Sequence, residues 1–397
     1  MKKPAQPVRT LTAGSVAAWR LARQRLTKPA ARNPEAVARD LVGVQAQVLS
    51  SAALSIALRT GGRVAATSTA LENRQLIRSW GMRGTLHLFA ADDFPTVVAA
   101  LSLREPWRRP SWLRYFGTTE KEMEAGIEAV GEILDDGLPR TRAALADDLH
   151  ARFGPRLAEL VRGSWGMFLK QAANKGHASQ AWTGDSSVAF VRPDRWLRAW
   201  RTEDPEAAIR ALLPRYLAAY GSASVTEINR WWGVTGAGLK LVIRELAGEL
   251  TEVEVDGGRG LVRTEDLDAL AAATLPPGDD GVRLLGPFDP LTIGGGLRAQ
   301  LIRSTHLKRV SRTAGWISPV VLIDGRVAGV WDSARNGDRL TITIDLFLKQ
   351  GRRERAAIER AAQRVATTQG STAVIEHGPV FSATRDSGHK HGDGDPS

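Results

Sequence analysis

Apolar residues recur at helical spacing over Gly14–Leu26, Pro34–Val44, Ser50–Arg59 and Thr67–Ile77, and the pattern then turns to alternation around Arg83-Gly84. A period near 3.6 giving way to a period of two predicts helices that close on a β-hairpin. The order returns twice. After a helical stretch at Thr118–Leu134, Thr141 is placed to cap a second group of helices, Ser164–Ala173 follows, and SQAWTGDSSVAFV reads as a hairpin turning at Gly184-Asp185. The third group is the cleanest, with helices at Ala207–Tyr220, Ser224–Trp232 and Gly238–Leu246, then a strand pair around Asp256-Gly257-Gly258. Helix, helix, helix, hairpin is the order of a winged helix, so an α+β chain of tandem winged-helix units is expected.

Beyond Ala273 the pattern changes. LPPGDDG reads as a linker; strands are expected at Val282–Leu285, Leu307–Val310, Val320–Ile323, Val327–Trp331 and Leu340–Leu346, with one helix at Arg352–Thr367. These predict a C-terminal β-barrel-like domain or a curled sheet. A chain of 397 residues fits roughly two to four cores. The expected divisions are residues 1–95, 96–200 with the helical spacer, 201–273 and 274–385, followed by a disordered tail at 386–397.

Composition narrows the chemistry. The absence of cysteine excludes disulfides, thiolate zinc sites, a cysteine nucleophile and an iron–sulfur cluster, and seven scattered histidines suggest no metal site. No cofactor is expected. The start, MKKPAQPVRT, lacks an apolar signal core and no run of about eighteen apolar residues occurs, so a cytoplasmic protein without a membrane partner is expected. Lys and Arg outnumber Asp and Glu by 54 to 43, a net charge of +11, with a pI near 10.4. Such a balance favours a polyanionic partner, although arginine-rich usage beside abundant Ala and Gly also arises from genome composition.

The triplet Gln45-Ala46-Gln47 carries the most specific chemical signal. Carboxamides hold water and offer hydrogen bonds, but they do not titrate and cannot serve as a tuned general base. On a helix, positions i and i+2 lie about 200° apart, so joint action of the pair requires an extended or helix-end backbone. Read alone, the pair is better explained as one glutamine capping the helix while the other faces solvent. Arg83, at a hairpin turn, is a candidate phosphate or groove contact. His87 is a candidate backbone or lesion contact, or a histidine satisfied inside the hairpin. Lys240 and Arg244, at i and i+4, and Arg259 and Arg263 on the third hairpin are further DNA-contact candidates, with a solvated charged face as the alternative. The twelve tryptophans are expected mostly in the core.

The run Leu41–Gln47, taken with Arg78–Leu88, resembles the AlkZ/YcaQ family of winged-helix DNA glycosylases. LLGPFDPLTIG (Leu284–Gly294) and SPVVLIDGRVAGVW (Ser318–Trp331) extend the likeness, which runs from about Leu11 to Phe381. The resemblance implies that Gln45 and Gln47 are the catalytic pair; a sister group carries Asp at the third position, so Gln47 points to the AlkZ branch. It further implies a monofunctional enzyme that releases cationic N7-alkylguanines from double-stranded DNA, including those in interstrand crosslinks. Its setting would be repair or self-resistance to DNA-alkylating natural products of the azinomycin kind. Arg298 matches a family arginine, although the glycine run before it departs from the family's charged stretch. Asp289 matches an acidic position for which a structural hydrogen bond is expected. A monomer is expected. The alternative is a non-catalytic multi-winged-helix DNA binder or transcription regulator.

Overall fold

The first group of elements comprises β1 (Arg9–Leu11), α1 (Ala13–Arg23), α2 (Pro34–Asp40), β2 (Val44–Gln45), α3 (Leu49–Thr60), α4 (Ala65–Glu72), β3 (Leu76–Trp80) and β4 (Leu86–Ala90). They belong to a computed structural model that describes residues 8–28, 33–163, 166–184, 188–233, 237–275, 281–294 and 301–380. A second group follows: α5 (Phe94–Leu101), α6 (Pro110–Phe116), α7 (Glu120–Ile133), β5 (Arg140–Thr141), α8 (Arg142–Phe153), α9 (Pro155–Gly163), α10 (Met167–Asn174), β6 (Ser179–Ala181), β7 (Ala189–Val191) and α11 (Pro193–Trp196). The third holds α12 (Pro205–Tyr220), α13 (Val225–Trp232), α14 (Ala237–Glu245), β8 (Leu250–Val255), β9 (Gly258–Arg263) and α15 (Leu267–Ala272). The last runs through β10 (Val282–Leu285), α16 (Pro290–Ile293), α17 (Leu307–Val310), β11 (Val320–Ile323), β12 (Arg326–Asn336), β13 (Arg339–Leu346), α18 (Arg352–Thr368) and β14 (Thr372–His377).

Caps explain where the helices begin. Thr141 accepts from Ala144 N at 3.2 Å, and Ser224 and Glu227 form a reciprocal capping box, each satisfying an otherwise orphaned N–H. Such caps contribute about 1 kcal/mol each.

Several expectations are corrected. Pairing with β4 pulls Val44 out of α2, and Ile77 lies in β3 rather than at the end of a helix. Leu307–Val310 is a single helical turn instead of a strand. The C-terminal strands form an open sheet in the order β10-β11-β12-β13-β14, with no closed barrel among the described residues. Its last strand, β14, runs parallel to β13 after the crossover helix α18. The expected turn at Asp185, the linker at 276–280, the terminal tail and Arg298 lie outside the described residues.

The groups are not independent in space. The hairpin strands of the first two share one six-stranded sheet, β2-β4-β3-β6-β7-β5, through the pairing of Arg78 with Gln180. β1 pairs in parallel with β8 of the third group. One apolar core joins Val37, Ile56 and Phe89 of the first group to Leu212, Ile228 and Val242 of the third. Burial of each such side chain stabilises the fold by about 1.5–3 kcal/mol. The C-terminal sheet docks on α3, where Leu54 enters its core and a fully buried, bidentate Arg59–Asp289 pair at 2.8 Å is further held by Gln24 Oε1 at 3.1 Å. Asp289 also caps α16 through Leu291 N, so its role is the structural one expected of it. No helix among the described residues is long and apolar enough to cross a membrane.

Candidate active site

The Gln45–Gln47 segment leaves the short strand β2 through a bend, and its geometry starts one turn earlier. At the end of α2, Gly43 N bonds Ala38 O, and Val42, a β-branched residue, takes φ +54°. That conformation is costly for valine and turns the chain sharply into β2. Gln45 then pairs opposite His87, and Ala46 N bonds Leu86 O at 2.7 Å. β2 ends at Gln45, and Gln47 stands at the bend that follows, two residues before α3 begins.

Two donors orient the carboxamides. Arg83 Nη2 donates to Gln45 Oε1 at 2.6 Å, and Leu86 N donates to Gln47 Oε1 at 3.3 Å. Because each amide faces an N–H group, it must present its oxygen there, which leaves one oxygen lone pair and the NH2 group of each glutamine uncommitted among the described residues. Gln45 is buried and Gln47 is exposed, so the pair runs from the interior to the surface.

Arginine also fixes the backbone. Arg78 Nη2 donates to Ala46 O at 2.8 Å and, more weakly, to Gln47 O at 3.4 Å. Arg83 itself sits in the turn between β3 and β4 with φ +57°, and its side chain folds inward to Gln45 and to Ile293 O, rather than outward from the hairpin tip. Burial lowers the pKa of both arginines, and Tyr220 and Tyr216 oppose that shift at Arg83. Tyr216 and Tyr220 donate to Gly294 O and Leu41 O, each at 3.1 Å, tying α12 to both sides of the site. His87 is buried, stacked on Phe89, with Nδ1 2.9 Å from Thr85 O. A carbonyl only accepts, so Nδ1 carries the proton. Burial, followed by the Arg83 charge, pushes the His87 pKa down to about 3 against the Thr85 hydrogen bond, and the ring is neutral at physiological pH.

The remaining candidates lie elsewhere. Lys240 and Arg244 are exposed on α14. Arg259 is exposed and pairs with Glu252 at 3.6 Å, while Arg263 is taken up by Asp266 and Glu265, each at 2.5 Å. Arg78, Tyr216 and Tyr220 carried no local signal in the sequence beyond strand alternation and an i, i+4 spacing.

A non-titrating pair of carboxamides is set among arginines that have no carboxylate partner among the described residues, an arrangement suited to a polyanionic partner. Comparison with known proteins agrees. Residues 38–368 match the model of the family described as "DNA glycosylase AlkZ-like". The "Interstrand DNA cross-link repair glycosylase" of Streptomyces sahachiroi is 35% identical over 371 residues, covering 89% of this chain and 96% of that protein. The solved structure of "Streptomyces sahachiroi DNA glycosylase AlkZ" superposes with a TM-score of 0.85 at 32% identity, over 93% of this chain and 100% of the other. The chain belongs to the AlkZ-like DNA glycosylase family and is a DNA-repair enzyme of mixed α/β fold.

Proposed function

We propose that this enzyme hydrolyses the N-glycosidic bond of guanines made cationic by alkylation at N7, with Gln45 and Gln47 as its catalytic residues. The observation that carries the reading is the pinning of both carboxamide oxygens, by Arg83 and by Leu86 N, where β2 ends against β4. An N7-alkylated base leaves as a neutral molecule, taking the electron pair of the C1′–N9 bond. Positive charge then builds at C1′. The remaining lone pairs on the glutamine oxygens support that charge and accept a hydrogen bond from the attacking water, which releases a proton to bulk water after its oxygen bonds to C1′. Neither glutamine forms an imine, so the product is an intact abasic site.

The helix-helix-helix-hairpin groups act as tandem winged helices, in the divisions 1–95, 96–200, 201–273 and 274–385. Lys240 and Arg244 contact the DNA backbone from α14. The crosslink repair named for the Streptomyces relative supports the same substrate range here, in alkylation repair or self-resistance. A duplex bearing one N7-alkylguanine tests the reading. Free base and abasic sites should form with the wild type and not with Gln45→Ala or Gln47→Ala. Borohydride should trap no covalent protein–DNA adduct. Equal activity on uracil would sink the requirement for a cationic base.

A further inference from the structure

Two cations with no anionic partner converge beside the turn that holds Arg83. A methyl group placed on Gly84 would stand 3.2 Å from Arg104 Nη2 and 3.3 Å from Lys170 Cδ, so both side chains close over this glycine. Arg104 also lies against Gly233 at the end of α13, where an added Cβ would stand 3.0 Å from its Cζ. The three groups of helices thus meet at one half-buried cationic spot.

Their hydrogen bonding is incomplete. Of the five N–H donors of Arg104, Nη1 donates to Gly81 O at 3.2 Å, and Lys170 Nζ meets the Met167 thioether, a weak acceptor, at 3.6 Å. Neither forms an ion pair among the described residues. The contrast with their neighbours is informative, because Glu105, next to Arg104 in the chain, serves Lys175 at 2.7 Å and Arg108 at 2.7 Å instead. Burial lowers the pKa of both groups, and the charge of Arg104 lowers that of Lys170 further. Two like charges pressed together without a counter-ion cost free energy that the free protein does not recover.

We infer that Arg104 and Lys170 form a binding site for a phosphodiester of the DNA backbone, beside the catalytic turn. Gly84, lacking a side chain, lets both cations close over the turn, where Arg104 offers a planar fork and Lys170 a point charge. The inference rests on the glycosylase reading for the direction from which DNA arrives.

Salt dependence of binding tests it. Each phosphate contact contributes about 0.9 to the slope of log affinity against log salt concentration. With the full chain and an undamaged fluorescent duplex, Lys170→Gln and Arg104→Gln should each flatten the slope by about 0.9, and the double variant by no more, because the two side chains share one phosphate. Between 50 and 150 mM salt, each single variant should therefore lose about 2.7-fold less affinity than the wild type. Arg104→Lys should keep the slope, and Arg162→Gln, which removes a surface partner of Asp147, should leave it unchanged. Slopes equal to the wild type in the glutamine variants overturn the site. Where Arg104→Gln melts at a lower temperature, Lys170→Gln decides alone. Wild type that releases no base while the slopes change as expected refutes the glycosylase reading and leaves the phosphate site standing.

Discussion

Replacing Arg83 with Met should slow base release without lowering stability. In the free enzyme the guanidinium donates to Gln45 Oε1 at 2.6 Å and to Ile293 O at 3.4 Å, so it fixes the orientation of the Gln45 carboxamide. A hydrogen bond to a charged group contributes about 1.5–3 kcal/mol. If that energy holds Gln45 in its working orientation, its loss corresponds to about a ten- to 150-fold slower single-turnover rate. The stability effect runs the other way, because folding places the charge of Arg83 where burial opposes it and no carboxylate compensates. Met retains most of the stem and the same backbone preference at φ +57°. The assay is single-turnover release of an N7-alkylguanine at saturating enzyme, beside a thermal melt. Arg83→Lys, which keeps a charge but loses the fork, should fall between the two. A rate equal to the wild type, or a rate loss that tracks a lowered melting temperature, would refute the positioning role.

His87 makes stability depend on acid. Its pKa falls from 6.5 to about 3 on folding, so protons bind the unfolded chain first and stability drains as pH drops below about 6.5. At pH 5.5 this residue alone should cost about 1.4 kcal/mol relative to pH 7.5; urea midpoints at the two pH values should show the loss in wild type but not in His87→Gln. Gly43→Ala should destabilise by more than about 1 kcal/mol and abolish base release, because φ is +101° there and the new Cβ would stand 2.6 Å from the Phe89 ring; a melt and rate equal to wild type would contradict the packing argument. Asp289→Ala should cost about 3–5 kcal/mol by leaving Arg59 charged in the interior, while the double change Arg59→Met with Asp289→Leu should cost much less. Denaturant unfolding of the three variants reads this coupling, and additive losses would argue against it.

Some of this architecture was legible because its causes are local. Thr141 and Ser224 announce helix starts, since a capping hydroxyl acts within three residues, and Asp256-Gly257-Gly258 announces a hairpin for the same reason. Leu307–Val310 misled because four residues are too few to distinguish a period of two from one helical turn. The barrel expectation failed at β14, whose place beside β13 depends on a crossover through α18. The catalytic reading of Gln45 and Gln47 came only from resemblance, because the pairing that seats Gln45 comes from β4 some forty residues later. Nothing near Arg59 foretells Asp289, 230 positions away, and nothing near Arg83 foretells Gln45.

The charges around the glutamines constrain the proposed chemistry further. Positive charge grows at C1′ as the base departs, yet the groups holding the motif are Arg78 and Arg83, with Arg104 on the same turn. Two unit charges about 6 Å apart repel by about 3 kcal/mol at an effective dielectric constant of about 20. The fold reduces this repulsion by turning each guanidinium toward oxygen: Ala46 O and Gln47 O for Arg78, Gln45 Oε1 and Ile293 O for Arg83, and Gly81 O for Arg104. These contacts polarise carbonyls but supply no negative charge. In the proposed complex that charge comes from the DNA itself, whose phosphates meet the cations and lie close to the sugar. Such a site would hold the positive sugar through its own substrate's backbone, and a base that leaves as a neutral molecule spares it the acid that a normal base would require.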